Sequence, residues 1–134
     1  MFDSNFSILG IRPLQWTQRA FNWFRITDSV VFTGCRRSIP ANHFLPGKLP
    51  AILPDGLAAE INSGSWPVLP IFKIIQKEGG ISDDEMYRVF NMGLGMVAVC
   101  PEDNVANVLE HLPDAMVIGK MIPKGNGEQV VFRG

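Results

Sequence analysis

Apolar positions in residues 45–134 fall into three stretches with helical spacing and several short runs with the character of strands. In residues 67–78, Val68, Leu69, Ile71, Phe72, Ile74 and Ile75 recur with Lys73, Gln76 and Lys77 between them, and Gly79-Gly80 follows where a glycine closes a helix. The spacing predicts a helix over 67–78 with Phe72 in the core. Ser82 followed three residues later by Glu85 is a capping-box pattern, with Asp83 and Asp84 in the first turn where the helix dipole favours anions. A second helix is predicted over 82–90, with Met86, Val89 and Phe90 facing the core. A third is predicted over 101–112, with Pro101 at the helix-start position and Val105, Val108, Leu109 and Leu112 at helical period.

Residues 95–100 form a nearly continuous apolar run, as expected of a strand buried on both faces. Residues 57–61, 115–122 and 128–132 read as further strands, separated by turn-forming residues at 63–67 and 123–127. Strands 95–100 and 115–122 are expected to be neighbours in one sheet, and the order strand, helix, strand, strand in this tail is half of a split βαβ arrangement. The fold class that follows is a layered α/β (α+β) domain, a mixed sheet with packed helices. Prolines at 46, 50 and 54 leave room for one helical turn in a connector and exclude a long helix. Upstream, residues 14–24 read as an amphipathic helix covering apolar surface, residues 28–34 as a short strand entering a turn, and residues 36–44 carry no usable periodicity.

Composition adds a seam to this picture. The 134 residues, 46% hydrophobic and 19% charged, are of single-domain size and exclude bulk disorder. No run approaches the roughly 18 apolar residues of a membrane helix, and the N-terminus lacks a signal-peptide pattern, so a cytoplasmic location is expected and a membrane partner is not. Residues 1–44 carry five arginines, two aspartates and no lysine, together with eight of the thirteen aromatics; residues 45–134 carry a net charge of −4. A basic aromatic stretch could meet phosphate and bases, but its helical spacing favours apolar packing over nucleic acid as a partner. Cys35 and Cys100 lie far apart with no Cys/His cluster, which points to ordinary thiols and to neither a disulfide framework nor a zinc site. Asp83, Asp84 and Glu85 read as a solvated helix cap, so no metal ligand is assigned.

The segment with chemical potential is Asn91-Met-Gly-Leu-Gly95, between the second helix and the buried strand. Glycine lets backbone approach a ligand closely and reach positive φ, and Asn91 offers both an acceptor and donors. Such a turn can hold a phosphate or a polar substrate edge at Asn91, Gly93 and Gly95, although two glycines there serve equally as turn chemistry.

Gly56-Leu-Ala-Ala-Glu-Ile61, Ser65-Trp-Pro67, Pro70-Ile-Phe72, Gly79-Gly80, the run from Glu85 to Met96 and Val117-Ile-Gly119 stand in an order and spacing that resembles the C-terminal domain of aminoimidazole ribonucleotide (AIR) synthetase, or phosphoribosylformylglycinamidine cyclo-ligase. The resemblance runs from about Leu45 to Phe132, and Phe90-Asn-Met-Gly-Leu-Gly-Met96 is its most specific part. It implies an AIR synthetase C-terminal-domain-like fold of partly ferredoxin-like topology and a role in purine biosynthesis. The implied reaction is an ATP-dependent imidazole ring closure, with ATP and Mg²⁺ activating the formyl amide oxygen of a nucleotide substrate. The resemblance also implies substrate or nucleotide binding at Asn91, Gly93 and Gly95 and leaves a homodimer open; no catalytic residue is assigned. The family's His-Ile-Thr-Gly-Gly-Gly loop has no counterpart at 39–44, where His43 reads as a loop residue, and His111 reads as structural. Two segments are therefore expected: 1–44, unrelated to the family, and 45–134, a truncated cyclo-ligase domain. The alternative is a catalytically inactive binding or structural module that keeps the fold, with residues 1–44 covering its apolar surface.

Overall fold

A computed structural model of the chain describes residues 6–12, 37–40 and 45–134. The expected helix over 14–24 and strand over 28–34, together with Cys35 and His43, lie outside the described residues. Six strands form one sheet: β1 (Phe6–Ile11), β2 (Arg37–Pro40), β3 (Leu57–Asn62), β4 (Met96–Pro101), β5 (Ala115–Pro123) and β6 (Val130–Arg133), in the spatial order β2-β4-β1-β5-β3-β6. Every pairing is antiparallel except β3 with β6, so the sheet is mixed. Among the described residues four helices accompany it: α1 (Leu45–Lys48), α2 (Pro70–Gly79), α3 (Asp83–Val89) and α4 (Val105–His111).

The apolar run of β4 is buried on both faces, as its sequence predicts. It is not a neighbour of β5, however, because β1 lies between them and pairs with both. Both are antiparallel to β1 and so parallel to each other, joined by α4; this is the split βαβ unit, with a strand from the N-terminal segment filling its gap. Neither β1 nor β2 is anticipated from residue periodicity. β1, Phe-Ser-Ile-Leu-Gly-Ile, is covered on both sides and has little alternation to show, and β2 is placed by backbone pairing to β4.

Side-chain alternation along the strands divides the core in two. On one face, Ile8, Leu57, Ala59, Ile61, Val97, Val99 and Val130 meet Leu49, Leu53, Met86 and Trp66 from the helical layer. On the other, Leu9, Cys100 and Val108 form one cluster and Met96, Ala98 and Ala115 another, with Leu109 and Leu112 beside both. The second face is apolar under α4. Towards β3 and β6 it carries Glu60 between Lys120 and Arg133, at 3.6 Å and 3.5 Å, in a solvated charge cluster.

Two glycines permit close layering at the centre. β5 carries a bulge opposite Ile8 and Leu9, and at the bulge a Cβ on Gly119 would run into the Glu60 carbonyl oxygen. Ile118, the residue before it, lies over Gly10, where a Cβ would come within 2.8 Å of both Ile118 and Leu94.

The helices agree with the expected ones in kind and differ at their edges. α2 starts at Pro70 and not at 67, because a proline forces the preceding residue out of the helical region; Leu69 is extended at ψ 142°. It ends on Gly80 in the left-handed conformation, as Gly79-Gly80 predicts. Of the predicted apolar run, Val68, Phe72 and Ile75 pack against the core, all three half-buried; Leu69, Ile71 and Ile74 are more than half exposed. Phe72 packs against Phe90, ring centroids 5.7 Å apart, at the margin of the core. In α3, the Ser82 Oγ accepts from the Glu85 N–H as a cap. Met86 is buried but Val89 is half exposed, contrary to expectation. Tyr87 and Phe90 lie about 100° and about 40° round the helix from Met86 on the core side, whereas Val89 lies about 60° round on the other. Pro101 ends β4 and does not open a helix; a 3-10 turn (Glu102–Asn104) leads into α4, whose His111 Nδ1 donates back to the Asn107 carbonyl at 2.8 Å. His111 thus has the structural role expected of it.

Trp66 links the helical layer to the turn that precedes β4. It is almost fully buried, edge-on to Tyr87, and its indole N–H donates to the Met92 carbonyl at 3.0 Å. Trp66→Phe should cost about 2 kcal/mol in urea denaturation, because it strands a buried carbonyl; a loss under about 0.5 kcal/mol would show that this bond does not hold the turn. Gly119→Ala should cost about 3 kcal/mol, since it sets a methyl group against backbone and not against a movable side chain. An unchanged urea midpoint for that variant would place the β5 bulge elsewhere.

Candidate functional site

The sequence-singled turn lies between the end of α3 and the start of β4. Asn91 uses its side chain within the turn: Oδ1 accepts from the Gly93 N–H at 3.1 Å, and the Asn91 carbonyl accepts from the Leu94 N–H at 3.0 Å. This is an Asx-turn, the local bonding to which asparagine is suited. Gly93 has φ 94°, which only glycine adopts without strain. Met92 has φ 51° with an ordinary side chain, a conformation few non-glycine residues take. Its cost is offset by burial of the thioether and by the Trp66 bond to its carbonyl. Backbone strain held by surrounding packing is common at functional sites.

Beside this turn is a cavity of about 440 Å³, within the range of small-molecule sites. Val68, Met86, Met92 and Phe132 supply its apolar lining, and Ser63, Lys73, Gln76, Asp83 and Tyr87 its polar lining. Of the turn only Met92 reaches the cavity. Asn91, Gly93 and Gly95 sit behind it, half-buried, and the Gly93 and Leu94 N–H groups are spent inside the turn.

The aromatic residues, which the sequence reading did not single out, are the more organised part of the site. Tyr87 stacks on Phe132 at 4.7 Å between centroids and meets Trp66 edge-on at 6.3 Å. Burial pushes the Tyr87 hydroxyl pKa up, and the Asp83 charge adds to the rise against a hydrogen bond with Ser63, so the phenol stays neutral at physiological pH and can both donate and accept. A signal for this cluster does exist in the sequence: Trp66 and Tyr87 both fall within the segments that carry the family resemblance.

The electrostatics of the cavity are not those of a phosphate cradle. Among the described residues Lys73 is its one ammonium, beside Asp83 and Asp84 in the lining, and Gln76 Nε2 donates to Asp83 Oδ1. Among the described residues no group of three or more His, Cys, Asp or Glu could hold a metal ion. The residues described therefore do not by themselves fit Mg²⁺ bound to a triphosphate. Among them, too, no helix is long and apolar enough to cross a membrane.

Comparison with known proteins places this geometry. Phosphoribosylformylglycinamidine cyclo-ligase from Enterococcus faecalis is 49% identical over 85 residues, covering 63% of this chain and 24% of that enzyme. The enzymes of the same name from Nitrosococcus oceani and Bacillus licheniformis are 43% and 46% identical, covering 66% and 64% of this chain and 26% and 25% of theirs. The chain thus spans about a quarter of the length of these curated relatives. Among solved structures, the hydrogenase maturation protein HypE in complex with ATP superposes with a TM-score of 0.69 at 15% identity, covering 97% of this chain and 48% of that one. The protein AaThiL complexed with AMPPCP and TMP gives 0.60, also at 15% identity, over 98% of this chain and 48% of that one. Likeness at that identity is likeness of fold. The family model described as "AIR synthase related protein, C-terminal domain" matches residues 45–131, and the chain belongs to that family.

Proposed function

We propose that this chain contributes the C-terminal-domain part of a cytoplasmic cyclo-ligase site for purine biosynthesis, in which Asn91, Gly93 and Gly95 set a backbone wall against a phosphate-bearing nucleotide substrate. The observation that supports this most is the left-handed Met92, fixed between Asn91 and Gly93 in the segment most specific to the family. A turn so constrained keeps its shape when a ligand arrives, so ordering it costs little at that moment. ATP, where bound, would supply phosphoryl activation of the substrate's amide oxygen. This chain's own residues bind and orient: Tyr87 and Phe132 offer an aromatic wall, and Lys73 a single cation at the rim.

Positioning and charge neutralisation dominate phosphoryl transfer. With one ammonium facing two carboxylates, the described residues supply little neutralisation, and turnover needs groups other than these. A second reading, a module that keeps the fold without catalysis, is favoured by the internal use of the Gly93 and Leu94 N–H groups.

Isothermal titration separates the two. The chain alone should show no conversion of ATP to ADP and only weak binding of ATP or of the formylglycinamidine nucleotide, lost in Asn91→Ala. Thermal unfolding of that variant should fall by the equivalent of about 1 kcal/mol for the broken Asx-turn. Steady ADP release by the wild type would overturn the claim of missing groups; identical heats from wild type and variant would favour the module.

A further inference from the structure

Among the described residues, β6 is the outermost strand on one side of the sheet. The Ala59 N–H donates to the Gln129 carbonyl and the Ser63 N–H to the Arg133 carbonyl. Because successive residues of a strand turn their polar backbone groups to opposite sides, residues 129, 131 and 133 face β3 while Val130 and Phe132 present theirs outward. Among the described residues no hydrogen bond reaches those outward groups. Edge strands are usually blunted by a lysine, a proline or a bulge. β6 has none of these at its outward positions, only a valine and a phenylalanine.

An open groove of about 500 Å³ runs along this edge. Pro46, Pro50, Tyr87, Val130 and Phe132 give it an apolar lining. Its charged groups are Asp84, Glu128 and Arg88, all exposed. Arg88 is turned to Glu85 at 3.8 Å, while Asp84 and Glu128 have no ion pair among the described residues, which leaves the groove acidic. A second copy of the chain would bring its own Asp84 and Glu128 to the same place. A cationic strand meets the groove with complementary charge.

We propose that the outer edge of β6 takes up an extended peptide segment of a partner protein as a seventh strand, one apolar side chain entering between Pro46, Pro50 and Tyr87 and flanking basic residues facing Asp84 and Glu128. Main-chain bonds to Val130 and Phe132 supply affinity, and the groove supplies selectivity, which is the division of labour in strand addition. Lysines two residues either side of the apolar one share its face, so Lys-x-Val-x-Lys is the pattern that fits.

The test uses the whole chain and the blocked pentapeptide Lys-Thr-Val-Thr-Lys, with Glu-Thr-Val-Thr-Glu and a form N-methylated at the valine and at both threonines as controls, which blocks pairing in either strand direction. Binding followed by amide NMR should be about tenfold tighter for the lysine peptide than for either control, with the Val130 and Phe132 amides gaining protection from exchange. Asp84→Lys with Glu128→Lys should remove that preference; should the pair fail to fold, Glu128→Lys alone, at an exposed site outside every element, should reduce it. Equal binding of the N-methylated peptide, or of the glutamate peptide, would overturn strand addition by a cationic segment. So would sedimentation showing a dimer whose Val130 and Phe132 amides are already protected, which would assign the edge to a second copy.

Discussion

The antiparallel pairing of β1 with both β4 and β5 is the constraint on which the rest of the molecule depends. Those two strands are parallel and joined by α4, and without a strand between them each would present a row of unpaired N–H and C=O groups within the core. Each such group costs about 1–3 kcal/mol if left unsatisfied, so the gap must be filled. Filling it also joins the two apolar clusters across the sheet, since Ile8 belongs to one face and Leu9 to the other. Gly10 and Gly119 then follow as requirements: Ile118 needs the space over Gly10, and the bulge in β5 brings Gly119 onto the Glu60 carbonyl.

The site inherits its shape from this frame. β4 is fixed in the sheet by β1 and β2, so the chain entering it from α3 must turn within a few residues, and Met92 takes the left-handed conformation to do so. What holds it there is tertiary: the Trp66 indole on its carbonyl and a buried side chain. The same Trp66 orders Tyr87, and Tyr87 with Phe132 stands between the cavity beside Met92 and the groove beside β6.

Features written in local chemistry were legible in the sequence. The Ser82 cap, the glycine closure of α2, the doubly buried β4 and the turn at Asn91–Gly95 each rest on a few adjacent residues whose physics needs no distant partner. What was not legible is set by non-local pairing. β1 has no alternation because both its faces are covered, and β2 is four residues recruited by β4. The strand between β4 and β5 was missed for that reason. Val89 is expected in the core, and Ile71 and Ile74 stand in the apolar run of α2, because periodicity marks an apolar stripe without saying how wide a face the neighbouring layer covers. At the site, the spacing that drew attention to Asn91 and Gly93 could not tell that their polar groups bond to each other. Met92 and the Trp66–Tyr87–Phe132 cluster emerged only once residues far apart in the chain were brought together.

The sequence match to the family begins at Leu45, whereas the likeness to HypE covers 97% of the chain and so extends into the segment that holds β1 and β2. The two extents differ because backbone pairing and side-chain chemistry make different demands. A central strand must supply N–H and C=O groups in register, apolar side chains on both faces and a glycine where Ile118 lies; many sequences do that, and Phe-Ser-Ile-Leu-Gly-Ile is one. A turn such as Asn91–Gly95 demands particular residues at particular positions: an Asx acceptor, a glycine at φ 94° and a buried Met between them. A fold can therefore extend through sequence of another style at residues 1–44, while the residues that give a site its chemistry remain concentrated where the family match lies.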